Sequence, residues 1–114
     1  MPEKLNLLFV CAKNKWRSPT AENIYRHDPR FKVRSAGVSS SARKTISEVD
    51  IRWADLILAM ENKHKKRIQS SFSYLDLPKI IVLDIPDDYE YLNPELIVLL
   101  EESIESILET REDC

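Results

Sequence analysis

Four short apolar runs, Leu5 to Val10, Phe31 to Ser35, Asp55 to Met60 and Lys79 to Asp84, alternate along the chain with stretches of helical or turn-like patterning. Each run has strand length, so the order is strand then helix, four times over. Parallel strands need crossover connections, and those crossovers pack right-handed on the sheet, so the alternation predicts an α/β three-layer sandwich. Its middle layer is a four-stranded parallel sheet, with helices on both faces. Ligands of such sheets bind beyond the strand C-termini. Cys11 lies just past the first run and Asp84 to Asp88 just past the fourth, which puts both on that rim. There is no internal repeat and no linker long enough to divide the chain, and 43% hydrophobic content in 114 residues suits one modest core. The expectation is one domain over residues 1–114.

Helix starts support the division. Ser18 before Pro19 suits an N-cap, Ser47 with Asp50 suits an N-cap with an acidic first turn, and Asn93-Pro94-Glu95 opens a last helix. On that helix Leu96, Leu100, Ile104, Ile107 and Leu108 form one apolar stripe, with Glu101, Glu102, Glu105 and Glu109 outside it. The segments between Gly37 and Thr45 and from Ser70 to Pro78 read as polar loops, and Thr110 to Cys114 is expected to fray.

Bulk properties exclude more than they identify. No apolar stretch approaches the roughly 18 to 20 residues of a membrane span, and Met1-Pro2-Glu3-Lys4 has no signal-peptide pattern, so a soluble, cytoplasmic protein is expected. Two cysteines, Cys11 and Cys114, are too few for a disulfide scaffold. The net charge of -2 argues against a nucleic-acid partner, and the basic run Lys63-His64-Lys65-Lys66-Arg67 on the third helix reads as a solvated face. His27 and His64 lack metal-ligand spacing, so no metal and no cofactor are expected.

Chemistry concentrates in Cys11-Ala12-Lys13-Asn14-Lys15-Trp16-Arg17, followed at once by Ser18-Pro19. The loop joins a strand end to a helix start, where unpaired backbone N–H groups and the positive end of the helix dipole attract anions. A lone cysteine closing a strand is more often a small core hydrophobe. Here Arg17 stands six positions on, and an arginine fork makes paired hydrogen bonds to phosphate oxygens. Cations and helix N-termini also favour the thiolate, the nucleophilic form. Cys11 is therefore the expected nucleophile and Arg17 the phosphate clamp, with Ser18 able to donate to the sulfur.

The stretch Val10-Cys11-Ala12-Lys13-Asn14-Lys15-Trp16-Arg17-Ser18-Pro19-Thr20-Ala21-Glu22 resembles the signature of low-molecular-weight protein tyrosine phosphatases. Arg34-Ser35-Ala36-Gly37 is similar to that family's Ser-Ala-Gly turn, and Ala54 to Met60 to its strand ending in methionine. The stretch Ile-Pro-Asp-Asp-Tyr-Glu at 85–90 also resembles a short bacterial subgroup of predicted tyrosine phosphatases. The resemblance implies a phosphotyrosine phosphatase I-like fold and a phosphomonoesterase that works through a cysteinyl phosphate on phosphotyrosine proteins or small aryl phosphates. It implies that Cys11 and Arg17 are catalytic and that Ala12, Lys13, Asn14, Lys15, Trp16 and Ser18 bind phosphate. Alignment on the family's Asp-Pro-Tyr makes Asp87 the proton donor, with Asp84 and Asp88 as alternatives, and leaves Tyr89 to stack on an aromatic substrate. Lys13 stands where the family has glycine, Trp16 where it has a second cysteine, and the segment from Gly37 to Asp55 is short. A noncatalytic phosphate- or phosphoprotein-binding module therefore stays open, as does a thiol-dependent arsenate reductase, for which Cys114 is the one further thiol.

Overall fold

The computed structural model describes residues 4–112, with side chains through Glu109, so Cys114 lies outside the described residues. In chain order the elements are β1 (Leu5–Cys11), α1 (Arg17–Tyr25), β2 (Phe31–Gly37), α2 (Glu48–Trp53), β3 (Leu56–Ala59), α3 (Asn62–Ser71), β4 (Lys79–Val82) and α4 (Pro94–Glu112). All strand pairs are parallel and the sheet order is β2-β1-β3-β4. The strand at the centre, β1, runs one residue further than its apolar pattern because the ladder with β2 continues to the pair Cys11 and Gly37. At the other extreme, Leu83 and Asp84 leave β4, and Asp84 takes a left-handed φ of 56°.

The period of two along β1 divides the core into two layers. Leu7, Phe9 and Cys11 face one side, where they meet Ala21 and Tyr25 of α1 and Leu96, Leu100 and Ile104 of α4. Leu8 and Val10 face the other, against Ile51 of α2 and Ile68 of α3. That parity sends the Cys11 side chain toward α1. Five of the seven β1 residues are buried, so this strand is the rigid member on which a loop at its end can be held.

Local signals explain the helix ends. Ser47 and Asp50 form a reciprocal capping box at α2. Asn93 Oδ1 accepts from the N–H groups of Glu95 and Leu96 at 2.9 and 3.3 Å. Ser18 does not cap α1: the helix begins at Arg17 with Trp16 as its unassisted N-cap, because the Ser18 hydroxyl is engaged below the loop. Glu105 is not simply solvated on α4, since it accepts from Arg30 at 3.0 and 2.9 Å and from Tyr25 Oη at 3.1 Å, tying the start of β2 to α4. No described helix is long and apolar enough to cross a membrane.

Candidate active site

Residues 12–16 connect the C-terminal end of β1 to α1. This loop is held from outside by the segment after β2. Val38 N donates to Cys11 O, Ser39 N to Ala12 O and Arg43 N to Lys13 O, at 3.0, 2.9 and 2.9 Å. The Arg43 guanidinium then reaches Asn14, with Nε on its carbonyl at 3.1 Å and Nη2 on its Oδ1 at 2.9 Å. Four successive carbonyls are thus turned toward one neighbouring segment. Among the described residues, the N–H groups of Lys13, Asn14, Lys15 and Trp16 donate to no protein acceptor, as a cradle for an anion requires.

The chain's single glycine makes this approach possible. A Cβ at Gly37 would stand 2.6 Å from Ala12 O and 2.8 Å from Asn14 N, closer than any real side chain tolerates. The left-handed turn of the loop falls on Asn14, at φ 53°, and not on Lys13, so the lysine in the family's glycine position imposes no such strain. Asn14 is fully buried. Its Nδ2 donates to Ser18 Oγ and to Ser35 Oγ, both at 2.9 Å, so the whole amide is satisfied.

Cys11 is 3% exposed and forms the floor of a cleft of about 290 Å³ whose walls are Ala12, Lys13, Lys15, Trp16, Arg17 and Asp87. Its Sγ lies 2.9 Å from Ser18 Oγ. Because Asn14 already donates to that hydroxyl, the serine hydrogen can go only to the sulfur or to Ala36 O at 3.4 Å, and a thiolate would take it. The cysteine is therefore buried in the apolar layer on one side and open to the cleft on the other.

Arg17 is 2% exposed yet sits on that cleft. Its Nη1 donates to Glu61 Oε2 at 2.6 Å and to Ile85 O at 2.7 Å, which fixes the plane of the guanidinium. Nε and Nη2 are left for a ligand, with only the Asp87 carboxylate 3.6 Å from Nε. Burial would raise the Glu61 pKa, but the hydrogen bond and charge of Arg17 outweigh it and hold the carboxyl below its ordinary range.

Asp87 sits on an exposed turn anchored at both ends. Ile85 is buried and held by Arg17, while Leu92 N donates to Thr20 Oγ1 of α1 at 2.9 Å. Asp88 is exposed and lines no part of the cleft, and Asp84 lines a different depression with Glu61, Lys63 and Pro86. Of the other residues expected to bind phosphate, Ala12, Lys13, Lys15 and Trp16 line the cleft, whereas Asn14 and Ser18 lie beneath it. Tyr89, expected to stack on substrate, instead packs against the core and is absent from the cleft wall.

No catalytic motif in the chain points to Glu61, Arg43 or His64, yet all three support the loop. Only topology points to Glu61, because it lies two residues past the Ala59 end of β3, on the same rim as Cys11. His64 is 1% exposed and accepts from Glu61 N on Nδ1 at 3.1 Å. Burial, ahead of the Arg17 cation, pushes its pKa from 6.5 down to about 4; Lys63 acts the same way, and Glu61 and Asp87 oppose it. The unfolded chain therefore binds the extra proton first as pH falls. Stability from this group is complete above about 6.5 and is lost progressively down to about 4, amounting to about 3 kcal/mol. Urea unfolding at pH 7 and pH 4.5 checks this: the wild type is expected to lose about 2 to 3 kcal/mol more than His64→Gln. Parallel losses in the two proteins would contradict it.

The profile of the family "Low molecular weight phosphotyrosine protein phosphatase" matches residues 6–51, which hold β1, the loop, α1 and the contacts that clamp them. The low molecular weight protein-tyrosine-phosphatase Wzb of Escherichia coli K12 is 33% identical, with 55% of this chain and 59% of that protein covered. A protein-arginine-phosphatase of Bacillus subtilis is 30% identical, with 60% and 63% covered. This chain thus spans about three fifths of the length of the curated relatives it matches. The structure of a low molecular weight protein tyrosine phosphatase from T. tengcongensis superposes with a TM-score of 0.69 at 25% identity, covering 97% of this chain and 100% of that one.

Proposed function

We propose that the chain is a member of the low molecular weight phosphotyrosine protein phosphatase family, whose profile matches residues 6–51, and that it hydrolyses phosphate monoesters of the phosphotyrosine or aryl type. The observation that carries this reading is the convergence of the Cys11 sulfur, the unpaired edge of Arg17 and the Asp87 carboxylate on one cleft. Cys11 as thiolate attacks phosphorus, the bond to the leaving oxygen breaks, and Asp87 protonates that oxygen. Water then attacks the cysteinyl phosphate, giving up its proton to Asp87 and releasing phosphate and the thiolate. Arg17 and the free N–H groups of the loop hold the equatorial oxygens through both steps without rearranging. We assign the activity to a reducing compartment, the cytoplasm, because the chemistry needs Cys11 as a thiol.

The Bacillus relative's name raises phosphoarginine as a second substrate. Lys13 and Lys15 on the cleft wall repel a guanidinium leaving group, which favours the aryl ester. Purified protein assayed on phosphotyrosine, 4-nitrophenyl phosphate and phosphoarginine tests the assignment, with turnover of the two esters and little of the phosphoramidate expected. Asp87→Asn should lower kcat on phosphotyrosine by roughly 10²- to 10³-fold and less on 4-nitrophenyl phosphate, whose leaving group needs no proton. Equal losses on the two esters would remove Asp87 from the role of acid. Phosphate binding with no turnover of any of the three would leave a binding module.

A further inference from the structure

A second cleft, of about 660 Å³, opens beside the first and shares Ala12 with it. Val38, Ser39 and Ser40 form one wall, and Lys63, His64, Lys66 and Arg67 of α3 form the other. No carboxylate lines it. Lys63 is partly neutralised by Glu61 at 3.8 Å, but among the described residues neither Lys66 nor Arg67 makes an ion pair. The basic run that reads in the sequence as a solvated face is therefore gathered on a concave surface next to the phosphate loop.

An independent observation points the same way. His64 Nε2 is buried and has no hydrogen-bond partner, alone among the buried side-chain polar atoms of the described residues. Since Nδ1 accepts from Glu61 N, the neutral ring carries its proton on Nε2, which makes that atom a donor. A buried donor left without an acceptor is destabilising, and His64 is one of the residues that line this cleft. The Ser40 hydroxyl can also donate, whereas that of Ser39 is engaged by Ser41, so the charged and free polar side chains on the walls favour an acceptor carrying negative charge.

We propose that this cleft is a second anion subsite, which takes a carboxylate or a second phosphoryl group carried by the same phosphoprotein substrate beside the phosphate held over Cys11. The choice of a protein substrate rests on the phosphatase reading. The subsite itself rests on His64, Lys66 and Arg67. It selects among phosphorylated sequences by what flanks the scissile group, a discrimination the small primary cleft has little surface to make.

The test compares binding of three phosphotyrosine peptides, flanked by glutamate, by phosphoserine or by glutamine, to Cys11→Ser protein in low salt. The two anionic peptides are expected to bind about tenfold more tightly than the glutamine peptide, and their ratio identifies the preferred anion. Lys66→Glu with Arg67→Glu should reduce that preference to within about twofold, while the same charge change at Lys4 and Lys32, at the opposite end of the strands, should leave it intact. With Cys11 restored, the Lys66→Glu, Arg67→Glu protein should turn over 4-nitrophenyl phosphate as the wild type does. The His64 Nε2–H resonance should shift with the glutamate peptide and not with the glutamine one. Equal binding of all three peptides, an undiminished preference in the double variant, a silent His64 resonance, or tighter capture of a single-stranded oligonucleotide than of the acidic peptides would overturn the subsite. Absence of 4-nitrophenyl phosphate turnover by the wild type would instead overturn the catalytic reading, and the peptide comparison would still decide the subsite.

Discussion

Cys11→Ser is expected to reduce phosphate-ester turnover by at least about 10⁴-fold while the protein still folds and binds inorganic phosphate. The reasoning separates chemistry from scaffold. A serine hydroxyl is a far weaker nucleophile than a thiolate, and among the described residues no histidine or other base hydrogen-bonds to Sγ; its one side-chain hydrogen-bond partner there is Ser18 Oγ at 2.9 Å. The substitution therefore removes the nucleophile outright. The anion cradle does not depend on the sulfur, because the loop is clamped through the carbonyls of residues 11–14 and through Arg43. Serine preserves a polar contact with Ser18, so thermal stability should change by no more than about 1 kcal/mol. Steady-state kinetics on 4-nitrophenyl phosphate, beside calorimetric titration with phosphate, checks both halves. Turnover within a hundredfold of wild type would exclude cysteinyl phosphate chemistry, and loss of phosphate binding would show that the sulfur shapes the cradle.

Much of this architecture is legible in the chain because the signals are local or strictly periodic. Strand-length apolar runs alternating with helical segments specify a parallel sheet, and the two-residue period of Leu7 to Val10 places alternate side chains in two layers. The spacing from Cys11 to Arg17 places both on one loop, whatever the rest of the chain does. Contacts from distant segments are a different matter. Glu61 is 44 positions from Arg17, and Arg43 is 29 from Asn14, so no spacing rule connects them. Ser18 looks like a helix cap because serine before proline usually is one; tertiary structure recruits its hydroxyl under the loop instead. Tyr89 follows Asp87 by two positions, but the turn between Ile85 and Leu92 directs the carboxylate to the cleft and leaves the ring against the core.

The lone glycine shows how closely fold and site depend on each other. Close approach of β2 to the phosphate loop lets Val38, Ser39 and Arg43 take its carbonyls, which leaves the N–H groups of that loop for an anion. The segment after β2 therefore does the holding from one side. On the other side, Glu61 and the carbonyl of Ile85 fix Arg17, and through Ile85 the same arginine also secures the turn that presents Asp87.

Arg17→Lys is accordingly expected to lower kcat/KM by on the order of 10³-fold, although the charge is kept. Lysine has one nitrogen where arginine has three. If that nitrogen stays on Glu61 and Ile85 O, as their short distances favour, nothing remains to meet two phosphate oxygens; if it turns to the phosphate, both acceptors lose their donor and the Asp87 turn loses an anchor. Either way the loss exceeds that of a single hydrogen bond. Glu61→Gln distinguishes positioning from charge, because the amide oxygen can still accept from Nη1. Its expected cost is less than about tenfold in kcat, with KM for 4-nitrophenyl phosphate little changed. A loss in Glu61→Gln as large as in Arg17→Lys would mean that the carboxylate charge itself takes part in turnover, and near-wild-type activity in Arg17→Lys would mean that the loop amides alone hold the phosphate.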